Sequence, residues 1–553
     1  MTMSDRPGSA ARTSGATPTR DRAVVAEEGD GLAAALAEVR TAGYDVPNVI
    51  GGRAVRTGRT FPIVVPHHHE TRLGEVHAAG AEQVHEAISA AGDTWRAWSR
   101  QPWESRAEPF RRAADMLEFG PWRDRMVAAC MLELSKTSDQ ADGDAAAETV
   151  DFIRANLANA VQVATVQPAA PYGVTNSVDY RPLEGFVFAV TPFNFVSMNN
   201  LALAPALLGN TVVWKPAESA ALGAHLTLQL LSEAGLPDGV INLVHGDGPE
   251  IGSVALSHRD LAAVAFTGST GTFQHIWRTV GENVGGYRNY PRVVGETGGK
   301  GFVLAHRSAD VDALATACVR GAFEYQGQKC AAATRLYVPR GMWPALRDRL
   351  VDLTRSLVVG DPTEPQTYVG AVINARQFAK HERALAKARE EGLILVGGTT
   401  DDTSGWFVAP TILEVSEPHS PFMTDELFAP ILTTYVYDDS EWENTLGLVD
   451  ELTPYGLTGA VFATDERALA QADEALRYTA GNYYVNDKPS GAAVGQQPFG
   501  GARASGTNDK AGTVWNLIRY LSPRAVKRNH QPPRDYEFPH LRGTRPTDEL
   551  EGA

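Results

Sequence analysis

From about residue 185 the chain alternates short unbroken apolar runs with amphipathic stretches, the pattern of strands buried on both faces with helices laid over them. Phe186-Val187-Phe188-Ala189-Val190, Thr211-Val212-Val213-Trp214, Ile241-Asn242-Leu243-Val244 and Ala263-Val264-Ala265-Phe266 read as such strands. After the second, the spacing predicts a helix over 219–235. Ser219 is placed as its N-cap, Leu222, Leu226 and Leu230 share one face, and Gly235 followed by Pro237 ends it. Strand, helix, strand in this order predicts an α/β fold with a nucleotide-binding sheet. A second block starts near Arg292, where RVVG (292–295) and GFVL (301–304) flank a glycine-rich turn and a helix over about 311–325 leads to Cys330. Further strands and helices are expected as far as about Tyr484. The strand-like stretch 164–180 belongs to neither block and is expected to project as a hairpin.

The ends differ from this middle. Residues 1–35 are rich in Ala, Ser, Thr, Arg and Gly without the apolar run of a secretory signal, and are expected to form a disordered extension. Residues 528–553 are polar and Pro-rich, an irregular tail. No stretch reaches the roughly 18 consecutive apolar residues of a membrane-spanning helix. A length of 553 residues allows two to four domains with sizeable cores. The formal net charge of −16 repels phosphate backbones and anionic lipid, so neither nucleic acid nor membrane is expected as a partner. Cys130, Cys318 and Cys330 are too few and too far apart for a disulfide framework or a zinc cluster. That favours a cytoplasmic protein and makes each thiol a candidate for reactivity.

Four strings carry candidate chemistry. In EYQGQKC (324–330), Gly327 allows a tight turn at a helix end that leaves the Cys330 thiol at a junction. A thiolate is a strong nucleophile, although an isolated Cys is more often a small buried hydrophobe. Glu296 in GETGGK (295–300), hemmed in by glycines and apolar strands, suits a general base of raised pKa; a simple turn position is the other reading. Asn194 in TPFNF (191–195) offers its amide to a developing oxyanion or caps a strand end. Lys215 and Glu218 in WKPAE (214–218) lie past a strand, where they can bracket ribose hydroxyls, and FTGSTG (266–271) can open a helix onto a pyrophosphate. The Gly246-x-Gly248 pair lacks the full dinucleotide-binding spacing and reads as a turn. His67-His68-His69 reads as a solvated loop rather than a metal site, because adjacent side chains rarely converge.

Together and in this order, the strings resemble the aldehyde dehydrogenase superfamily over about residues 45–527. Within it, EYQGQKC, GETGGK and VGQQPFGGARASGTNDK (494–510) are similar to the branch that oxidises L-glutamate 5-semialdehyde to L-glutamate with NAD in proline breakdown. A succinate or aminoadipate semialdehyde type is the alternative, against which the 485–510 loop argues. The resemblance implies the aldehyde dehydrogenase fold, of class α/β. Its parts would be a Rossmann-like NAD-binding domain (36–163 and 185–294), an α/β catalytic domain (295–513) and a small β oligomerisation flap (164–184 and 514–527). A homo-oligomer, a dimer or dimer-based, follows from the flap.

The resemblance also implies roles. Cys330 would be the nucleophile, Asn194 with the Cys330 N–H the oxyanion hole, and Glu296 the group that activates the hydrolytic water. Lys215 and Glu218 would hold the adenosine ribose and Ser269 the pyrophosphate, while Glu426 and Phe428 of DELF (425–428) would hold the nicotinamide end. Gly491 and Ala492 would offer N–H groups to the substrate α-carboxylate, Glu148 would meet its ammonium, and Phe195 and Phe499 would line its chain. No metal is required. Ala331 stands where a Ser commonly helps bind that carboxylate, and Ala429 where a Gly is usual after the Phe.

Overall fold

Apolar runs flanked by turn residues and backed by helices pair most readily as parallel strands, since both faces are then covered. In the computed structural model, which describes residues 29–542, five of them stand side by side in the order Ile241–Leu243, Thr211–Pro216, Phe186–Thr191, Leu261–Thr267, Arg292–Glu296. All four pairings are parallel, with Phe186 opposite Thr211 and Val264 opposite Phe188. The chain reverses direction of travel across the sheet between Phe186–Thr191 and Leu261–Thr267, so the crevice beyond their carboxyl ends is where a ligand is accommodated in such sheets. Asn48–Ile50 and Arg53–Val55 extend the sheet to seven strands in antiparallel fashion.

A second seven-stranded sheet runs Ile394–Val396, Thr411–Val415, Ile431–Tyr437, Ala333–Pro339, Gly301–Ala305, Thr458–Phe462, Asn482–Val485, parallel except at the first strand. The chain passes from one sheet to the other between Glu296 and Gly301, so GETGGK is the seam between them.

Several local expectations change. The helix Gly29–Thr41 begins inside the supposed extension because Leu32, Ala35 and Leu36 pack on the core; residues 1–28 lie outside the described residues. Ser219 does not cap a helix. Glu218–Ala220 is a 3₁₀ turn, the α-helix spans Ala221–Glu233, and its free N–H groups at Leu222 and Gly223 are met at 2.7 and 2.9 Å by the distant carboxylate of Glu133. The helix before the nucleophile candidate is Val311–Phe323, two residues shorter than expected. Gly248 is the first residue of the helix Gly248–Ser257, capped by the Asp247 side chain.

Residues 164–180 form no hairpin. The helix Thr149–Thr165 runs into this stretch, and the strand Val174–Pro182 pairs antiparallel with Leu521–Asn529 from the other end of the chain. Within 514–527, Val514–Leu517 and Ile518–Tyr520 are helical. The tail expected to be irregular from 528 starts inside that second strand and includes the short helix Pro539–Arg542; residues 543–553 lie outside the described residues. His67 is buried rather than solvated, with Nδ1 3.1 Å from Ser135 Oγ, and loss of water lowers its pKa to about 4.

Candidate active site

The helix Val311–Phe323 cannot continue, because Tyr325 (φ 52°), Gln326 (φ 56°) and Gly327 (φ 64°) are left-handed. Two non-glycine residues are held there by tertiary contacts. Gln326 Nε2 donates to the carbonyls of Ser135 (3.0 Å) and Ala371 (2.8 Å), and a Cβ on Gly327 would collide with the Ala429 carbonyl oxygen. This turn delivers Cys330, half-buried, with Sγ 3.6 Å from Glu296 Oε1. Cys130 and Cys318 are fully buried, and Cys318 is surrounded by core side chains alone.

Burial raises the Cys330 pKa well above its ordinary value, and the nearby carboxylates of Glu296 and Glu426 add to the rise. The resting group is therefore a thiol, which must give up its proton before it can act as a nucleophile. Burial also raises Glu296 to about 7, partly offset by the Cys330 hydrogen bond and Lys510. A carboxyl that titrates near neutrality beside a thiol is a ready acceptor for the thiol proton. Asn194, buried beyond the strand Phe186–Thr191, donates Nδ2–H to the Gln328 carbonyl at 3.0 Å, which leaves its second amide hydrogen free for another acceptor.

These three groups line one cavity of about 980 Å³ together with Glu148, Phe195, Gly491, Ala492 and Phe499. Glu148 sits at the end of a π-helical turn, Asp142–Glu148. Its Oε2 accepts from Ser197 Oγ at 2.9 Å, and burial, with Asp144 adding to it, raises its pKa to about 7. Phe195 lies over the Lys136 ammonium, 4.4 Å from ring centroid to Nζ. Phe499 pairs with Ala511 in an isolated antiparallel bridge, and Gly491 takes φ 84°, a turn that favours glycine. Ala331 also lines the cavity and is buried.

The cofactor candidates lie along the strand ends, outside that lining. Lys215 is buried at the end of Thr211–Pro216; desolvation lowers its pKa, and the nearby Glu218 and Asp247 oppose the shift. Glu218 is exposed. Ser269 caps the helix Thr270–Glu282 by accepting from Thr272 N, leaving a helix N-terminus open at the crevice. Glu426 is pinned to the seam by Gly299 N–H at 2.8 Å, and Phe428, at φ 60°, stands edge-on to Phe193 at 5.9 Å.

Two groups of residues escaped the motif reading. Lys136 and Asp144 form a buried pair at 2.5 Å, and the Asp144 oxygens also accept from Val196 N and Ser197 N, fixing the turn after Asn194. Their spacing in sequence carries no signal, because a π-helical turn brings them together. Arg320, Glu324, Lys329 and Lys488 form an ion cluster in the cavity lining. Two of these lie inside EYQGQKC itself, where attention to the thiol hid them.

Comparison with known proteins gives a consistent result. The Aldehyde dehydrogenase family matches residues 54–526. A mitochondrial Delta-1-pyrroline-5-carboxylate dehydrogenase of Bos taurus is 44% identical over 518 residues, covering 93% of this chain and 92% of that protein. The one from Homo sapiens gives the same identity and coverage. The crystal structure of the Delta-pyrroline-5-carboxylate dehydrogenase from Mycobacterium tuberculosis bound with NAD is 46% identical, with a TM-score of 0.91 over 98% of this chain and 100% of that one.

Proposed function

The chain belongs to the aldehyde dehydrogenase family, and from that membership we propose that it oxidises L-glutamate 5-semialdehyde to L-glutamate with NAD in proline degradation. The observation that carries this reading is the meeting of Cys330, Glu296 and Asn194 with Glu148, Gly491 and Ala492 in one cavity.

The residues at the strand ends fit NAD: Lys215 is a buried ammonium with no hydrogen-bond partner among the described residues, and Ser269 heads a helix whose amides face the crevice. Lys215 and Glu218 would hold the adenosine ribose, Ser269 the pyrophosphate, and Glu426 with Phe428 the nicotinamide end. When bound, NAD supplies the acceptor for the aldehyde hydride.

In this reading Glu296 takes the Cys330 proton as sulfur adds to the aldehyde carbon. The alkoxide formed is held by the free Asn194 amide hydrogen and the Cys330 N–H. Loss of hydride leaves a thioester on Cys330. Glu296 releases that first proton to solvent, then takes a proton from water as the water attacks the thioester and returns it to the Cys330 sulfur as the C–S bond breaks. Glu148 meets the substrate ammonium, the N–H groups of Gly491 and Ala492 meet its carboxylate, and Phe195 and Phe499 flank its chain.

The ribbon of Val174–Pro182 and Leu521–Asn529 supports a homo-oligomer, a dimer or dimer-based, because its outer edges can pair with another copy. The three unpaired thiols support a reducing compartment, and the cytoplasm is proposed. NADH formation with L-glutamate 5-semialdehyde, set against short uncharged aldehydes, tests the reading. A clear preference for the former is expected, and equal efficiency would overturn it.

A further inference from the structure

One wall of the cavity carries charge that the steps above do not use. The Glu324 carboxylate is met by Lys329 Nζ at 3.0 Å, Lys488 Nζ at 2.8 Å and Arg320 Nε at 3.2 Å. Three basic side chains surround this one carboxylate, and Asp487 also acts on Arg320. Burial alone would raise the Glu324 pKa, but Lys329 and Lys488 take it down to about 2, so the carboxylate stays ionised. All four side chains line the large cavity, and Arg320 and Lys488 also line a smaller one of about 320 Å³.

Lys488 is the member placed to act on a ligand. Its side chain is only 17% exposed, so solvent screens its charge incompletely. A Cβ built on Gly491 would lie 3.5 Å from its Nζ, which sets the ammonium against the backbone of Gly491. Elsewhere the lining carries Glu118, Asp139, Asp142, Asp144, Glu148, Asp151 and Glu296, of which Asp142, Asp144 and Glu118 are met by Arg123, Lys136 and Arg154. The cavity thus places a basic cluster near Gly491 and carboxylates, Glu148 among them, elsewhere along its wall, a separation that suits a ligand carrying both a carboxylate and an ammonium.

The geometry points to Lys488, with Arg320 and Lys329 behind it, as a specificity-determining group that draws and holds the carboxylate of the aldehyde substrate beside Gly491. This inference rests on the glutamate semialdehyde reading. A charge of this kind acts before any hydrogen bond forms, so it governs KM and its dependence on salt more than the chemical step.

The test is steady-state kinetics of the full chain and its Lys488→Met and Lys488→Arg variants with three aldehydes: glutamate 5-semialdehyde, glutarate semialdehyde, which keeps the carboxylate and lacks the ammonium, and pentanal. Lys488→Met is expected to raise KM for both carboxylate aldehydes by roughly five- to tenfold, to change KM for pentanal by less than about twofold, and to flatten the fall of kcat/KM with rising salt. Lys488→Arg is expected to restore most of the loss. Equal KM changes for all three aldehydes, or an unchanged salt slope, would overturn the inference and leave Lys488 as a structural ion pair. A wild-type enzyme that does not prefer the carboxylate aldehydes over pentanal would instead overturn the functional reading on which the inference rests.

Discussion

The two loops that meet at the cavity are built on opposite principles. The one bearing Asn194 follows directly from a regular strand, contains no left-handed residue over 192–197, and is fixed by the Asp144 carboxylate accepting two of its N–H groups. The one bearing Cys330 breaks a helix with three successive left-handed residues and stands only because Gln326, Gln328 and Gly327 are held from outside. Sparsely populated backbone of this kind persists where the surroundings over-determine it, and it clusters at reacting groups. The proposed oxyanion side thus keeps regular backbone with one remote anchor, Asp144, whereas the proposed nucleophile side depends on left-handed backbone held by several remote partners. The bond from Asn194 Nδ2 to the Gln328 carbonyl is where the two are tied together.

The sharpest break of this pairing is Cys330→Ala, which is expected to abolish NADH formation while leaving NAD binding measurable by calorimetry nearly intact. Cys318→Ala, made in a core that lines no site, is expected to keep activity and cost stability on the order of 1 kcal/mol. More than a few per cent of activity in the first variant would move the nucleophile elsewhere. Asn194→Ala removes one oxyanion donor and the tie between the loops, and kcat is expected to fall about 10²- to 10³-fold. An unchanged kcat would mean that the Cys330 side alone stabilises the alkoxide.

Glu296 lies on the seam between the loops, and its raised pKa gives the comparison a pH signature. Only the ionised carboxylate accepts a proton, so turnover is expected to rise with pH through about 7 and then level off. Glu296→Gln is expected to remove that limb and to slow both the NADH burst and thioester hydrolysis, since the same carboxylate takes the Cys330 proton before hydride transfer and the water proton after it. A retained limb near 7 would assign it to another group, Glu148 being the first alternative, since burial raises it to the same range. Gln326→Ala withdraws support from the nucleophile loop and leaves the Ser135 and Ala371 carbonyls without that donor. A loss of about 1–3 kcal/mol in unfolding stability is expected, with a smaller change in kcat than Asn194→Ala gives.

The same contrast explains what could be read from the chain. The parallel strands of the first sheet were legible because each is a short, mostly apolar run between turn residues, whereas their order was not: Ile241–Leu243 and Leu261–Thr267 follow each other in sequence yet stand with two strands between them. The strings around Cys330, Glu296 and Asn194 were legible as chemistry. What sequence concealed was set by partners far along the chain. Glu133 caps a helix at Leu222 and Gly223, Ser135 and Ala371 hold Gln326 left-handed and so end the preceding helix at Phe323, and Leu521–Asn529 supplies the partner of Val174–Pro182. The Lys136–Asp144 pair and the cluster on Glu324 were hidden for another reason: most of their members are close in sequence, but buried charges declare themselves only once their counter-ions are placed.

The smallest expected effect belongs to Ala331, on the nucleophile side next to Cys330. Its side chain lines the cavity but is only 6% exposed, so a hydroxyl added there would have little room to choose its direction. A hydrogen bond to a charged group is worth about 1.5–3 kcal/mol when well made. Gly491, Ala492 and Lys488 already face the proposed carboxylate position, so a new donor would share an acceptor rather than rescue a bare one. Ala331→Ser is therefore expected to lower KM for glutamate semialdehyde by no more than roughly tenfold, about 1.4 kcal/mol, and to leave KM for pentanal unchanged. The double variant with Lys488→Met separates hydroxyl from charge: if both contact the same carboxylate, the benefit of the serine should grow once the ammonium is gone. An equal KM change for both aldehydes would show that residue 331 does not face the carboxylate, and that the nucleophile loop contributes chemistry without contributing recognition.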